Sequence, residues 1–260
     1  MDKDIRLHES NKSFSWTMPG GPYTFFSDED ITSFNEKGYV VLEDAFSIEE
    51  VDKVINQIDP YEFNVTEALK GLDGGKFFIA RAEEITFTTH LVTQSDELKE
   101  FSKHRVFTDV CRDLIGPDVR LYWDQAVYKK PGTKDEFPWH QDNGYTYIEP
   151  QAYLTCWVAL TDTDESNGCP WVMPGLHKMG TLFHENTDLG HEIPLESSQA
   201  GWLPLKAGSI AIFSSLTPHR TGPNLSDDIR KSYIRQYAPE GSKRVISQSL
   251  TEDLNDENRH

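Results

Sequence analysis

A chain of 260 residues has room for one large domain or two small ones, and 37% apolar with 12% aromatic residues is enough for an ordinary packed core. Its formal net charge of −18 argues against nucleic acid as a partner, because phosphate binding relies on Lys and Arg to release counterions, and against docking on an anionic membrane. Such acidity chiefly serves solubility, with attraction of a cationic substrate as the lesser alternative.

Cys111, Cys156 and Cys169 form no CxxC pair, and their spacing fits neither a zinc site nor a disulfide framework. The opening Met1-Asp2-Lys3-Asp4-Ile5-Arg6 lacks the apolar run of a secretory signal, and no stretch approaches bilayer-spanning length. These features predict a soluble, cytoplasmic protein.

Residues 1–26 carry Gly20-Gly21-Pro22 and little periodicity, and read as an irregular arm. Ser27-Asp28-Glu29-Asp30 has the form of a capping box opening a helix, which Gly38 is placed to end. Tyr39-Val40-Val41-Leu42 reads as a short buried strand. Ser47-Ile48-Glu49-Glu50 repeats the capping signal, Val51, Val54, Ile55 and Ile58 give helical spacing, and Pro60 is expected to stop that helix. Residues 75–100 show a mixed pattern. Phe101 to Leu114 predicts one helix ended by Gly116-Pro117.

Beyond it strands dominate: Val119 to Trp123, Gln125 to Lys129, Tyr153 to Leu160, Gly168 to Met173, Trp202 to Leu205, Ser209 to Phe213 and Ser232 to Ala238. Early helices followed by many short strands predict a mainly β fold with flanking helices, a double-sheet jelly roll. Residues 27–240 would form this single domain, and 241–260 a charged tail.

Trp139-His140-Gln141-Asp142 follows a strand-like run. On an extended segment, residues two apart point to one side, so His140 and Asp142 can offer an imidazole and a carboxylate to one ion. Alone, the pair is a weak signal, since a solvated turn explains it equally well. Downstream, Leu205 to Phe213 reads as a turn and buried strand leading to Ser214-Ser215-Leu216-Thr217-Pro218-His219. A lone histidine there is more often a satisfied core residue than a ligand. Two His and one carboxylate from separate strands, however, make the facial triad that suits non-haem Fe(II), with open positions for co-substrate and dioxygen. Arg230-Lys231-Ser232 adds a guanidinium and a hydroxyl able to clamp a carboxylate, such as the distal end of 2-oxoglutarate.

Together these motifs resemble the phytanoyl-CoA dioxygenase family: His-x-Asp, then Asn167-Gly168-Cys169-Pro170-Trp171-Val172-Met173-Pro174-Gly175-Leu176-His177-Lys178, then His219 with Arg230. Gly38 to Leu42 and Ser47 to Val51 resemble that family's opening, so the likeness covers about residues 27–240. It implies a double-stranded β-helix using Fe(II), 2-oxoglutarate and O2. By position His140, Asp142 and His219 match the iron ligands, Arg230 the co-substrate arginine, and Ser232 a serine of some members only.

Gln125, Tyr128 and Thr155 are further candidates for hydrogen-bonding the co-substrate, while Trp157 reads as core. Asn143, Tyr145 and Tyr147 are expected to border the substrate mouth, His177 to be structural, and residues 179–200, with His184 and His191, to form a lid or insertion. The implied activity is hydroxylation of a small molecule with release of succinate and CO2. Desaturation, epimerisation or ring formation would use identical ligands. Two rivals are a non-catalytic metal- or partner-binding β domain and a cupin-type metalloenzyme independent of 2-oxoglutarate. A coenzyme A ester would want basic residues, for which Lys129, Lys130 and Lys134 are candidates, although ordinary loop lysines explain them equally well. The oligomeric state and the substrate are not legible.

Overall fold

The computed structural model describes residues 5–195, 199–247 and 249–254. The remaining parts of the predicted arm, insertion and tail lie outside the described residues.

Both capping boxes form. Ser27 opens the helix Asp28–Lys37 and Ser47 the helix Ile48–Lys70, each serine hydroxyl accepting from the backbone N–H three residues on. Gly38 ends the first helix in the left-handed region at φ 85. The second helix runs through Pro60 instead of stopping there. Pro60 removes one intrahelical donor, but the buried stripe Val51, Val54 and Ile58 continues as Glu62, Thr66 and Leu69, so packing holds both halves in line. The expected Phe101-to-Leu114 helix is instead two, Asp96–Phe101 and Arg105–Leu114. His104 breaks them by capping the second, its Nδ1 accepting from Val106 N at 3.3 Å.

Among the described residues the main sheet has eight strands. From one edge these are Tyr39–Leu42, Ile210–Ser214, Leu154–Ala159, Arg230–Pro239, Val119–Lys129, Ile85–Thr89, Ala80–Arg81 and Lys76–Phe77. Val119–Lys129 is one continuous strand rather than two, and it carries the irregularity itself: consecutive Gln236 and Tyr237 of its partner pair with Trp123 and Leu121, which leaves Tyr122 as the extra residue. A smaller sheet runs Gly201–Trp202, Pro170–Val172, His219–Thr221 and Phe137–His140. Between the sheets lies an inner cluster built from Val127, Trp157, Phe213 and Ile234 against Val172, Leu203 and Leu205. The opposite face of the main sheet, with Tyr128, Cys156, Val158, Ile212 and Tyr233, packs on Phe34, Val54, Ile58, Leu98 and Phe107 of the helices. Alternation along each strand thus divides two cores, and the fold is the expected jelly roll with helices on one face.

The N-terminal arm is tied down. Leu7 bridges Leu182, and the Asp113 carboxylate accepts from the N–H groups of Thr24, Phe25 and Phe26 at 2.7–3.0 Å. Within the stretch 241–260 expected as a charged tail, Lys243–Ser247 pairs with Leu250–Asp253 and with Ile148–Glu149. The three cysteines are free and buried. Among the described residues no helix is long and apolar enough to cross a membrane.

Candidate metal centre

His140 closes one strand of the smaller sheet and His219 opens its neighbour, and the two are direct partners in the register. Their rings lie 4.1 Å apart. Gln141 is extended (φ −107, ψ 141), so Asp142, the first residue of the short helix Asp142–Tyr145, returns to the side of His140. Asp142 therefore sits at a strand-to-helix turn rather than on a strand, and the parity argument holds across it. Its Oδ1 lies 3.7 Å from His140 Nε2 and 3.8 Å from His219 Nε2. One donor atom from each of the three side chains fits within 4.8 Å of the others.

Both imidazoles are held the same way. His140 Nδ1 meets the Pro138 carbonyl at 2.8 Å and His219 Nδ1 the Thr217 carbonyl at 3.0 Å. A carbonyl only accepts, so each Nδ1 carries the proton and each Nε2 presents its lone pair to the centre. Burial pushes His140 down to about 3, helped by His219, and pushes His219 down to about 4. Both rings are neutral at neutral pH, as a metal ligand must be. Burial raises the Asp142 carboxyl.

Gln141, fully buried, fastens the bend. Its carboxamide donates to the carbonyls of Gly180 at 3.0 Å and Leu216 at 2.5 Å, and accepts from Leu182 N at 2.6 Å. His184 Nε2 accepts from Gln141 N at 2.9 Å.

Thr155, expected to meet the co-substrate, donates instead to Asp142 Oδ2. Behind it Gln236 Nε2 donates to Thr155 Oγ1 at 3.3 Å and Tyr122 donates to Gln236 Oε1 at 2.8 Å. Gln236 and Tyr122 escaped the sequence reading because Gln and Tyr on strands look ordinary, and only cross-strand register brings them together. Tyr128 does not join the centre. It stands on the helix-facing side, its hydroxyl donating to Asp59 Oδ1 at 2.6 Å. Gln125 shares the inner-face parity of Val127 and pairs in register with Ile234 and Thr89.

Arg230 is buried on that inner face. Its Nη1 donates to Ser232 Oγ at 2.7 Å, and Trp157 lies 5.4 Å beneath the guanidinium. Among the described residues its Nε and Nη2 have no hydrogen-bond partner. Orphaned buried donors of a cation are costly, and a bound carboxylate would satisfy them. The donor set of the triad and these unused N–H groups therefore fit a metal ion and an acidic co-substrate.

Around the centre, Tyr145 lies 5.3 Å from the His140 ring and 4.7 Å from that of His191, on the ribbon Glu185–Thr187 and Gly190–Glu192. Asn143 is internal, donating to Thr181 Oγ1 at 2.7 Å and accepting from Ile148 N at 2.9 Å. Tyr147 packs on His8, and buried His177 meets the Asn35 carbonyl at 3.2 Å, away from the triad.

The family model described as phytanoyl-CoA dioxygenase (PhyH) matches residues 34–232. This chain belongs to the phytanoyl-CoA dioxygenase family. The family comprises enzymes that depend on iron and 2-oxoglutarate. The chain is 25% identical over 243 residues to a phytanoyl-CoA dioxygenase of Arabidopsis thaliana, covering 79% of this chain and 86% of the relative. It is 25% identical over 227 residues to a probable alpha-ketoglutarate-dependent hypophosphite dioxygenase of Stutzerimonas stutzeri, covering 81% and 78%. The crystal structure of the carbocyclase SnoK from nogalamycin biosynthesis superposes with a TM-score of 0.70 at 22% identity, covering 88% of this chain and 91% of that one.

Proposed function

We propose that this family member binds Fe(II) through His140, Asp142 and His219, holds 2-oxoglutarate through Arg230 and Ser232, and hydroxylates a small molecule. The observation that carries this is the pairing of an N2O donor set within 4.8 Å with a buried guanidinium that has two unused donors. A non-catalytic binding domain has no use for that second feature, and a cupin-type enzyme without 2-oxoglutarate has none either.

Iron with 2-oxoglutarate and dioxygen supplies the oxidising chemistry, which yields succinate, CO2 and an oxygenated product. The chain's own residues prepare it. Backbone carbonyls fix both imidazole tautomers. Thr155 occupies the outer oxygen of Asp142 and leaves Oδ1 facing the histidines. Val127, Trp157 and Phe213 wall the interior with apolar surface and exclude water. Arg230 holds its charge in that dry wall, and a co-substrate carboxylate there would meet it undiluted by solvent.

The relatives range from a phytanoyl-CoA dioxygenase to a probable hypophosphite dioxygenase, so membership does not choose the substrate. A coenzyme A ester finds little help here. Lys129 is buried with its Nζ on the carbonyls of Gly222 and Asp135, and Lys130 is paired with Glu62 at 2.6 Å. The direct test is succinate formation by the full chain supplied with Fe(II), 2-oxoglutarate and air but no substrate. Slow, iron-dependent turnover that vanishes in His219→Ala is expected. No succinate above the His219→Ala background would remove the proposal.

A further inference from the structure

On the oxygenase reading, on which this depends, we infer that Lys129 is the proton-linked neighbour of Arg230. It takes up a proton when a carboxylate of the co-substrate seats on that guanidinium, so 2-oxoglutarate and H+ bind together.

Lys129 ends its strand two residues beyond Val127, on the same inner face, and stands directly opposite Arg230 in the register. Each of the two is 1% exposed. Gly168 and Gly222 close over the lysine stem. An added Cβ on Gly168 would lie 2.7 Å from the Gly222 carbonyl oxygen and 3.4 Å from Lys129 Cδ, so the turn can approach only as glycine. Asn224 Nδ2 donates to the Lys129 carbonyl at 2.9 Å and fixes the strand end. The stem so held delivers Nζ to two acceptors, the carbonyls of Gly222 at 2.6 Å and Asp135 at 3.2 Å. A neutral amine has two N–H groups, and these carbonyls use both. An ammonium has a third, for which the described residues offer no acceptor.

The other charges around Lys129 are engaged elsewhere or lie in water. The Asp135 carboxylate is held by Arg81 at 3.0 Å, Glu84 by Arg81 at 3.4 Å, and Glu136 by Arg220. Lys130, on the opposite face, pairs with Glu62 at 2.6 Å. Lys134, Glu165, Asp227 and Asp228 are exposed, where solvent and salt screen them. Buried Cys169, near Arg230, is pushed up to about 12 by burial and carries no charge. Arg230 is thus the charge that shares the dry side with Lys129. Burial, and then that guanidinium, hold Lys129 down at about 7 against the weaker pull of Glu136 and Asp135.

A carboxylate that satisfied Arg230 Nε and Nη2 would cancel the opposing charge and place a negative one nearby, which favours the ammonium. Linkage is reciprocal, so the proton must also favour the co-substrate. Below about pH 7 Lys129 is protonated beforehand, and affinity should not change with pH. Above it the chain has to collect a proton from solvent in order to bind, and affinity should fall as pH rises.

The test is calorimetric titration of the full chain, loaded with Mn(II), with 2-oxoglutarate. Each titration is run in two buffers of different ionisation enthalpy, Hepes and Tris. At about pH 8 the wild type should take up roughly half a proton or more per 2-oxoglutarate, and Kd should rise about tenfold from pH 7 to pH 8.5. Lys129→Met should bind without proton uptake and with a flat pH profile. Wild-type binding without uptake would overturn the inference, as would uptake that persists unchanged in Lys129→Met. The wild type also decides alone, should the variant not fold. Its uptake should fade towards pH 6, whereas uptake that grows as pH falls would belong to a histidine and overturn the assignment to Lys129. No binding of 2-oxoglutarate at any of these pH values would be a different failure, that of the oxygenase reading itself, and would remove this inference with it.

Discussion

Lys129 and Arg230 stand opposite each other on neighbouring strands, both buried, and among the described residues neither forms an ion pair with a carboxylate. Two like charges out of water and without a counterion oppose folding. Burial, and then the facing guanidinium, push Lys129 down to about 7. In the unfolded chain Lys129 titrates near the ordinary lysine value. Above about pH 7 the unfolded chain therefore holds more protons at this site, and stability rises with pH until the ordinary lysine range is reached. Lys129→Met removes the dependence. Denaturant unfolding of both proteins from about pH 7 to pH 9 should show the difference moving in the wild type's favour as pH rises. Parallel curves would mean that Lys129 is not depressed.

The same pair sets the co-substrate prediction. A dicarboxylate whose distal end reached Arg230 would satisfy Nε and Nη2 and offset both cations. Arg230→Ala should weaken 2-oxoglutarate binding by roughly two orders of magnitude, the scale of losing one partner of a buried charge-assisted pair. Calorimetric titration in the presence of Mn(II) checks this, with the metal titrated alone as control. Metal affinity should move far less than co-substrate affinity. Equal losses would show that Arg230 supports the fold and does not hold the ligand.

How much of this was legible depended on whether the signal was local. Ser27, Ser47 and Gly38 announced helix ends because caps act within one turn. His140 and Asp142 were legible as a pair because one extended residue separates them, and His219 entered only by chemical type and order. Pro60 misled because its local cost is overridden by packing on both sides. Tyr128 was a misplacement that the alternation rule alone contradicts. Gln125 and Tyr128 are an odd number apart on one strand, so they face opposite sides. Gln236 and Tyr122 carry no local signal, since their role depends on which strands become neighbours.

Thr155 illustrates what register adds. Its hydroxyl donates to the outer oxygen of Asp142 and is itself backed by Gln236 and Tyr122. Replacing it by the isosteric valine leaves the carboxylate free to turn. Thr155→Val should weaken metal binding by about 10–100-fold, the usual scale for losing a partner that orients a ligand. Thr155→Ser keeps the hydroxyl and should stay close to the wild type. A Co(II) titration followed by its visible absorption distinguishes the two. Valine and serine variants that bind alike would show that packing, not the hydrogen bond, is what matters at this position.

Gly38 couples the first helix to the metal centre. Its carbonyl accepts from Thr217 Oγ1 at 2.7 Å and from Ser214 N at 2.9 Å. Thr217 in turn offers its carbonyl to His219 Nδ1 at 3.0 Å. A Cβ on Gly38 would lie 2.4 Å from Thr217 Oγ1 and 2.6 Å from His177 Nδ1, at φ +85. Gly38→Ala thus combines backbone strain with a steric push on the turn that sets His219, and should cost about 2–4 kcal/mol of stability together with a clear loss of metal affinity. Gly74 provides the comparison: it has φ +68 and open space within 4 Å of where a Cβ would stand, so Gly74→Ala reads the backbone cost alone, about 1 kcal/mol. Thermal unfolding and metal titration of the two variants separate the effects. If both lost the same stability and Gly38→Ala bound metal like the wild type, the path from Gly38 through Thr217 to His219 would carry no strain.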